Sequence, residues 1–432
     1  MMPHIATRMG LPRFNASDIA PGKEFDMITV GIDIGKEKHA AAAVTATGEV
    51  LMRPRFFAQT AEGFSALLAQ LKKLGKTADI RIGMEATGRY WLPLRHTLAA
   101  KGYRVESVNP LITSAEISKD VRGRKTDKAD ALAIAFALLR NRHNPAPAED
   151  AVADALKSLT RHRTFLVRQK SSVKRCVHAA LDVTFPEAAA TFTSFFSSTA
   201  LAVLEAFPSA RLLSVANLKT LTALVSKASR GRLTAGYARS VRDAARNSVS
   251  AGIVNEGDEA ALVSLIQQIR FADAQIEKAE EKIRAMPAPK AAALLASIKG
   301  VGPLLSRVIS SEIGDMERFR NPPSGKPPRD MDKRVLAFAG CEPRLRESGK
   351  WKGRTKISKR GSPALRTALW QAASMCRLHT PLFAEVYQRQ KKRGKPHSVA
   401  LFYVVRKLIE ILCGMHKTGV PFSPQSAGGV AC

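Results

Sequence analysis

Residues 28–35, ITVGIDIG, form a short apolar run that ends on an acid and a glycine, the pattern of a buried strand leading into a tight turn. The chain continues HAAAAVTATGEVLMRPRFFA, which reads as two strands around the turn at Thr47-Gly48. AEGFSALLAQLKKLG then places apolar residues at helical spacing and stops on Gly75. DIRIGMEATG is a second buried strand ending in glycine, RYWLPLRHTLAAKG is helix-like, and RVESVNP is a strand closed by Pro110. Strands and helices alternating in this rhythm predict an α/β layer architecture with a mixed sheet over residues 27–147.

Beyond this domain the pattern turns helical. Residues 148–289 begin with EDAVADALKSLTRHRTFLVRQKSSVKRCVHAALDV, which lacks Gly and Pro and carries seven Lys/Arg and no acid between Lys157 and Arg175. They end with EGDEAALVSLIQQIRFADAQIEKAEEKIRAM, apolar at every third and fourth position. The two segments pair either as an antiparallel coiled coil or within a plain helical bundle. The Ala/Ser/Thr-rich stretch between them, 186–255, reads as helices and loops. Residues 290–420 form a mostly α-helical C-terminal domain, interrupted by the Pro-rich NPPSGKPPRD. Residues 1–26 read as a flexible extension without the apolar core of a signal peptide, and 421–432 as a disordered Gly/Ser tail.

The 432 residues include 68 Lys+Arg against 37 Asp+Glu, a net charge of +31. Such an excess favours a polyanionic partner, because each neutralised phosphate releases a counterion. No apolar run reaches eighteen residues, which argues against a membrane span. The five cysteines are scattered, odd in number and without C-x-x-C, so neither a disulfide framework nor a zinc knuckle is expected. A reducing, cytoplasmic location follows, in association with the nucleoid.

In so basic a chain, four acids stand out. Asp33 ends the first strand and Glu85 ends the strand IGME, while Asp127 and Asp130 of KTDKADALAIA share one face at the start of a predicted helix. Strand C-termini and helix N-termini gather at one edge of an α/β sheet, where ligands bind. Carboxylates converging there repel one another unless a hard divalent cation holds them. Taken singly, Asp127 and Asp130 are equally explained as helix caps, and Asp33 or Glu85 as a turn residue or an ion-pair partner. Arg124, Lys125 and Lys128 beside the pair are placed to meet phosphate.

Two C-terminal motifs suggest nucleic-acid contact. LLASIKGVGPLLSRVISSEIG is helix, Gly300-x-Gly302 turn, helix, a form whose turn amides can meet a DNA phosphate, although an ordinary tight turn also needs glycine. RLRESGKWKGRTKISKR, residues 344–360, carries eight Lys/Arg and one acid. Lys350, Lys352, Arg354, Lys356, Lys359 and Arg360 can follow a phosphate backbone, and Trp351 can stack on a base. Ser348, before Gly349, has an uncrowded backbone, and Ser358 lies ten residues on; either becomes a phosphoryl nucleophile only if its proton is removed and cations stabilise the phosphorane.

VGIDIGKEKH, MEATGRYW and SKDVRGRKTDKADALAIA resemble the RuvC/RNase H-like domain of the DEDD-type insertion-sequence transposases, and IKGVGPLLSRVISSEIG and FAGCEPRLRESG…ISKRGSPALRTALWQAA resemble that family's C-terminal transposase domain. The resemblance covers about residues 27–180 and 290–415. It implies that Asp33, Glu85, Asp127 and Asp130 are the four acidic positions that bind Mg²⁺, or Mn²⁺ in its place. It further implies a C-terminal serine that links covalently to the DNA 5′ end, aligned with Ser348 and alternatively with Ser358. Donor and target DNA, a structured guide (bridge) RNA and a homo-oligomer, dimer or tetramer, are the implied partners. The rival expectations are a structure-selective nuclease of the Holliday-junction resolvase type, which uses water and the same acids, and a non-enzymatic nucleic-acid-binding protein.

Overall fold

The computed structural model describes residues 27–85, 90–108, 113, 127–140, 151–250, 254–320, 330–344, 347–348, 351–352 and 356–423. The chain falls into two compact units, Met1–Glu149 with Gly314–Phe338, and Asp150–Ile313 with Ala339–Cys432.

The first unit is built on five strands, β1 Ile28–Asp33, β2 Lys38–Val44, β3 Val50–Ala58, β4 Ile80–Glu85 and β5 Arg104–Val108, in the order β3-β2-β1-β4-β5. Strand β2 runs antiparallel to both of its neighbours, and β1, β4 and β5 run parallel, so the sheet is mixed as expected. One face is covered by α1 (Ala61–Leu74) and α2 (Trp91–Ala100), through a core that includes Ile32, Leu71, Ile82, Met84, Leu94 and Leu98. The other face holds α3 (Asp127–Leu139), whose Ala131, Leu132 and Ala135 meet Ala40, Ala42 and Val44 of β2, and whose Ile134 and Ala137 meet Val108 of β5. The alanine runs on both partners explain the close fit, since small side chains let a helix backbone lie low on a sheet. This is the RuvC/RNase H-like α/β arrangement. A buried ion pair, Arg81 Nε to Glu106 Oε1 at 3.1 Å, ties β4 to β5. His39 packs its ring against Phe57 and Phe64, its Nε2 meets the side-chain carbonyl of Gln59, and burial holds it below the usual imidazole range, which fits an ordinary core residue. Residues Met331–Phe338 form helix α13.

The second unit is helical. Helix α4 spans Ala151–Thr184; five shorter helices follow, α5 Ala188–Thr191, α6 Ser198–Ala206, α7 Ala210–Ser214, α8 Leu218–Ser229 and α9 Ala235–Arg246; and α10 spans Glu256–Ala285, opened by a capping box between Asn255 and Asp258. Helices α4 and α10 pack together in antiparallel register, because Arg163 pairs with Glu280 while Lys170, seven residues later, pairs with Asp273, seven residues earlier. The five intervening helices share a core with the facing ends of that pair, where Val177, Leu181, Leu262 and Ile266 meet Leu204, Leu221 and Val241.

Helices α11 (Lys290–Ala296) and α12 (Pro303–Ile313) flank the Gly-x-Gly turn, and α14 (Pro363–His379), α15 (Pro381–Lys392) and α16 (His397–Thr418) close the chain. Glu312, buried on α12, takes a two-pronged hydrogen bond from Arg161 of α4 (2.6 and 3.0 Å) and one from the Ser362 hydroxyl (2.8 Å), which also caps α14. The tail begins in ordered form: Phe422 stacks on Phe383 and its N–H donates to Ser297 Oγ at 2.9 Å, because an apolar ring anchors what composition alone assigned to a loose Gly/Ser segment. Cys176, Cys341, Cys376 and Cys413 form no disulfide, and among the described residues no helix is long and apolar enough to cross a membrane.

Candidate metal centre and nucleic-acid interface

Asp33 and Glu85 stand at the C-terminal ends of adjacent parallel strands; the register pairs Ile32 with Met84, one residue before each acid. Helix α3 delivers the other two. It passes directly over Gly31, where a β-carbon would lie 2.1 Å from the Ala131 carbonyl oxygen and 2.4 Å from the Ala135 nitrogen. Only glycine allows this contact, and it sets the first turn of α3, with Asp127 and Asp130, toward the end of β1 that carries Asp33. The helix start and the strand ends therefore meet at one sheet edge, as the sequence predicts.

The electrostatics register the grouping. Burial lifts the Asp33 carboxyl to about 6, and the charges of Asp130, Asp127 and Glu85 add to the lift, opposed by a hydrogen bond from the Ile34 amide. Glu85 accepts a hydrogen bond from the Thr113 hydroxyl at 2.9 Å. Asp127 is exposed and Asp130 half-buried. The donor set is four carboxylates, all hard oxygen ligands, and in its chemistry it suits a hard divalent cation. Among the described residues no group of three or more His, Cys, Asp or Glu side chains is gathered closely enough to hold a metal ion.

Thr113 was not legible as part of this site, since an isolated threonine carries no pattern. Gly31 was not singled out either, although a glycine inside an apolar strand is a signal of close approach by another backbone. Arg124 and Lys125 lie outside the described residues, and Lys128 is described only as part of the α3 backbone.

The basic stretch is more structured than its composition suggests. Two short antiparallel ladders cross it, Pro343 opposite Ile357 with Arg344 opposite Lys356, and Glu347 opposite Lys352 with Ser348 opposite Trp351. Ser348 thus sits on a strand backbone instead of a free loop, because backbone pairing orders even a highly charged segment. Ser358 is half-buried, and its N–H donates to the Glu342 carbonyl at 2.8 Å, followed by Lys359 N–H to Gly340 at 2.9 Å. Lys359 is left-handed, with φ of 55°, a conformation that non-glycine residues rarely adopt. Lys356, Lys359 and Arg360 are exposed; Trp351 and Lys352 are described as backbone only, and Lys350 and Arg354 lie outside the described residues.

At the Gly-x-Gly turn the two glycines differ. Gly300 has φ of 101° and a β-carbon there would lie 2.8 Å from the backbone of Met375 and Cys376 in α14, so this glycine serves packing. Gly302 is exposed with open space beside it.

A family model for DEDD transposases of the IS110 type matches residues 30–186, and a model for transposases of the IS116/IS110/IS902 family matches residues 292–388. The uncharacterized 44.8 kDa protein of insertion element IS116 from Streptomyces clavuligerus is 25% identical over 412 residues, covering 92% of this chain and 97% of its own length. A mini-circle putative transposase for IS117 from Streptomyces coelicolor is 26% identical over 426 residues, covering 93% and 97%. Among solved structures, Thermus thermophilus RuvC in complex with a Holliday junction substrate aligns with 27% of this chain at 17% identity and a TM-score of 0.22.

Proposed function

Because this chain belongs to the IS110 family of DEDD transposases, matched in both halves and in order, we propose that it excises and inserts a mobile DNA element by metal-dependent strand cleavage through a serine–DNA ester. The observation that carries the metal-dependent part is the raised Asp33 carboxyl, which senses Asp130, Asp127 and Glu85 at one sheet edge.

Asp33, Glu85, Asp127 and Asp130 would hold Mg²⁺, or Mn²⁺ in its place, which when bound neutralises charge building on the transferring phosphoryl group. Glu85 is oriented for this by Thr113. The serine Oγ loses its proton, forms a bond to phosphorus and expels the 3′ oxygen, which leaves as a hydroxyl; the DNA 5′ end stays on the protein as a phosphoserine ester. Attack by another 3′ hydroxyl on that ester rejoins strands and returns the serine. Ser348 is the first choice by family alignment. Ser358 is the alternative, and its pinned backbone beside Lys359 supports it. Lys350, Trp351, Lys352, Arg354, Lys356, Lys359 and Arg360, with Arg124, Lys125, Lys128, Gly300 and Gly302, would contact nucleic acid.

Strand exchange needs several cleavages held in one assembly. The antiparallel pair α4/α10 would serve as a coiled coil joining protomers, a role supported by Phe165 and Phe271, whose rings remain 54% and 67% exposed on it. A guide RNA pairing with donor and target DNA is the further partner proposed, in keeping with the net charge of +31. The division into residues 27–147, 148–289 and 290–420 is kept as a proposal for the functional parts.

The test is an SDS-resistant protein–DNA adduct formed with Mg²⁺ on DNA carrying the element ends. It should disappear in Asp33→Asn and in one of Ser348→Ala and Ser358→Ala. Strand cleavage that needs Asp33 but survives both serine changes without adduct would instead establish a water-using nuclease.

A further inference from the structure

The stretch from Lys219 to Arg246 carries seven Lys/Arg and one acid, Asp243, and the family alignment and catalytic scheme assign it nothing. It folds as two twelve-residue helices, α8 and α9, joined by the turn Arg230–Thr234. Leu221 and Val225 on α8 and Ala238, Val241 and Ala245 on α9 bury the inner faces in one core. The buried positions of α9 recur at three and four and are flanked by half-buried Tyr237, Arg242 and Ala244, while Arg239, Ser240, Asp243 and Arg246 are exposed.

At 100° per residue, Arg239, Arg242 and Arg246 fall within one arc of that solvent face, with Asp243 beside them. Arg239 and Arg246 are exposed and Arg242 half-buried. Lys227, Arg230 and Arg232 extend the same charge into the turn, all exposed. Among the described residues Asp243 is the one carboxylate that pairs with any of these six cations, at 3.7 Å from Arg246.

The turn shows where side-chain choice departs from backbone preference. Arg230 is left-handed, with φ of 55° and ψ of 46°, at the helix C-cap, a position that glycine or asparagine occupies at lower cost. The next residue, Gly231, is also left-handed, at φ of 78°. A cation is thus retained where the backbone disfavours it, in a turn that presents its side chain to solvent.

We propose that residues 218–246 are a second DNA-binding element of this transposase, a helix–turn–helix whose α9 enters the major groove of duplex DNA. A twelve-residue helix is about 18 Å long, and the B-form major groove, about 12 Å wide, admits it. Arg239, Arg242 and Arg246 face base edges and the near phosphates, and Lys227, Arg230 and Arg232 sit over the flanking backbone. A-form RNA duplex is a poor fit, because its major groove is too deep and narrow for a helix. The element lies apart in sequence from both the acids and the serines, so it contributes grip and not chemistry.

The experiment uses the full-length protein with Arg230→Asn, Arg232→Ser and Arg239→Ser combined. Fluorescence anisotropy on a labelled 30-base-pair duplex, on single-stranded RNA and on duplex RNA is measured across a salt series. Duplex DNA affinity should fall about 10- to 100-fold and the salt slope by about 3, one per lost phosphate contact, while RNA binding and melting temperature hold. If the triple variant melts early, exposed Arg239→Ser alone should still lower duplex DNA affinity at an unchanged melting temperature. Unchanged duplex binding in a folded variant, or a loss confined to RNA, overturns the proposal. Adduct formation at saturating DNA should persist in these variants, so failure here is distinct from failure of the serine mechanism.

Discussion

Gly31 and Ala131 are so close that a β-carbon on Gly31 would stand 2.1 Å from the Ala131 carbonyl oxygen. This contact between β1 and α3, with the packing of α3 on β2 and β5, holds the helix that carries Asp127 and Asp130 against the strand that carries Asp33. Replacing Gly31 with alanine must push α3 off the sheet, since the obstacle is backbone and cannot rotate away. The expected outcome is a loss of about 1–3 kcal/mol in urea unfolding, as for other overpacked cores. Adduct formation should fall with it, because the carboxylates lose their register. A Gly31→Ala variant of normal stability and activity would contradict the packing.

The Asp33 carboxyl is burdened by burial and by three neighbouring acids. Asp33→Asn removes a charge that is costly when no cation is present, so the variant should melt higher than the parent in EDTA. With Mg²⁺ the order should reverse, because the parent alone gains by binding the ion. Differential scanning fluorimetry in both buffers reads this directly. Equal melting temperatures in EDTA would mean that the acids do not repel at this edge.

Arg161 and Glu312 supply a pH test in the helical unit. Burial alone would raise the Glu312 carboxyl, but hydrogen bonds from Arg161 and Ser362 overcome it and hold the group below its usual 4.5. A carboxylate with a depressed folded value stabilises above its unfolded value and loses that contribution as pH falls. Stability should therefore decline below about pH 4.5 more steeply in the parent than in Glu312→Gln. Arg161→Ala at neutral pH leaves a buried charge with less compensation; because the arginine is half exposed, water replaces part of it and the cost is about 2 kcal/mol rather than the larger loss of a fully buried pair.

The two serines differ in setting, and single substitutions separate them. Ser348→Ala or Ser358→Ala should abolish the adduct, whichever carries the ester, with a loss of at least about 10³ in rate and little change in melting temperature. The other substitution should act through DNA binding alone and leave an adduct detectable at saturating DNA. Mass spectrometry of the DNA-linked peptide identifies the residue independently.

Much of this molecule was legible before folding was considered. The alternation in TVGID and the apolar run IRIGME declare strands, and the three-and-four spacing of LVSLIQQI declares α10, because these periods follow from backbone geometry alone. The acids were legible as a set because so few stand beside strand ends in a strongly basic chain. Legibility failed where partners are remote. Thr113 finds Glu85 across 28 residues and Arg161 finds Glu312 across 151, and nothing local to any of the four names the other. It also failed in the charged stretch around Ser348, where composition implies a loop and backbone pairing makes short ladders.

By itself, the sequence determined the local elements, their α/β order, the excess of positive charge and the placing of four acids beside strand ends and a helix start. The tertiary structure decided that those acids share one field, through the parallel β1–β4 pairing and the passage of α3 across Gly31. It also decided that the helices 218–229 and 235–246 bury their apolar sides in one core and leave Arg230, Arg232, Arg239 and Arg246 exposed. The reason is one of range: periodicity and turn chemistry act over a few residues, whereas a site's electrostatics depend on which distant backbones can touch, and that is settled only when the core is packed.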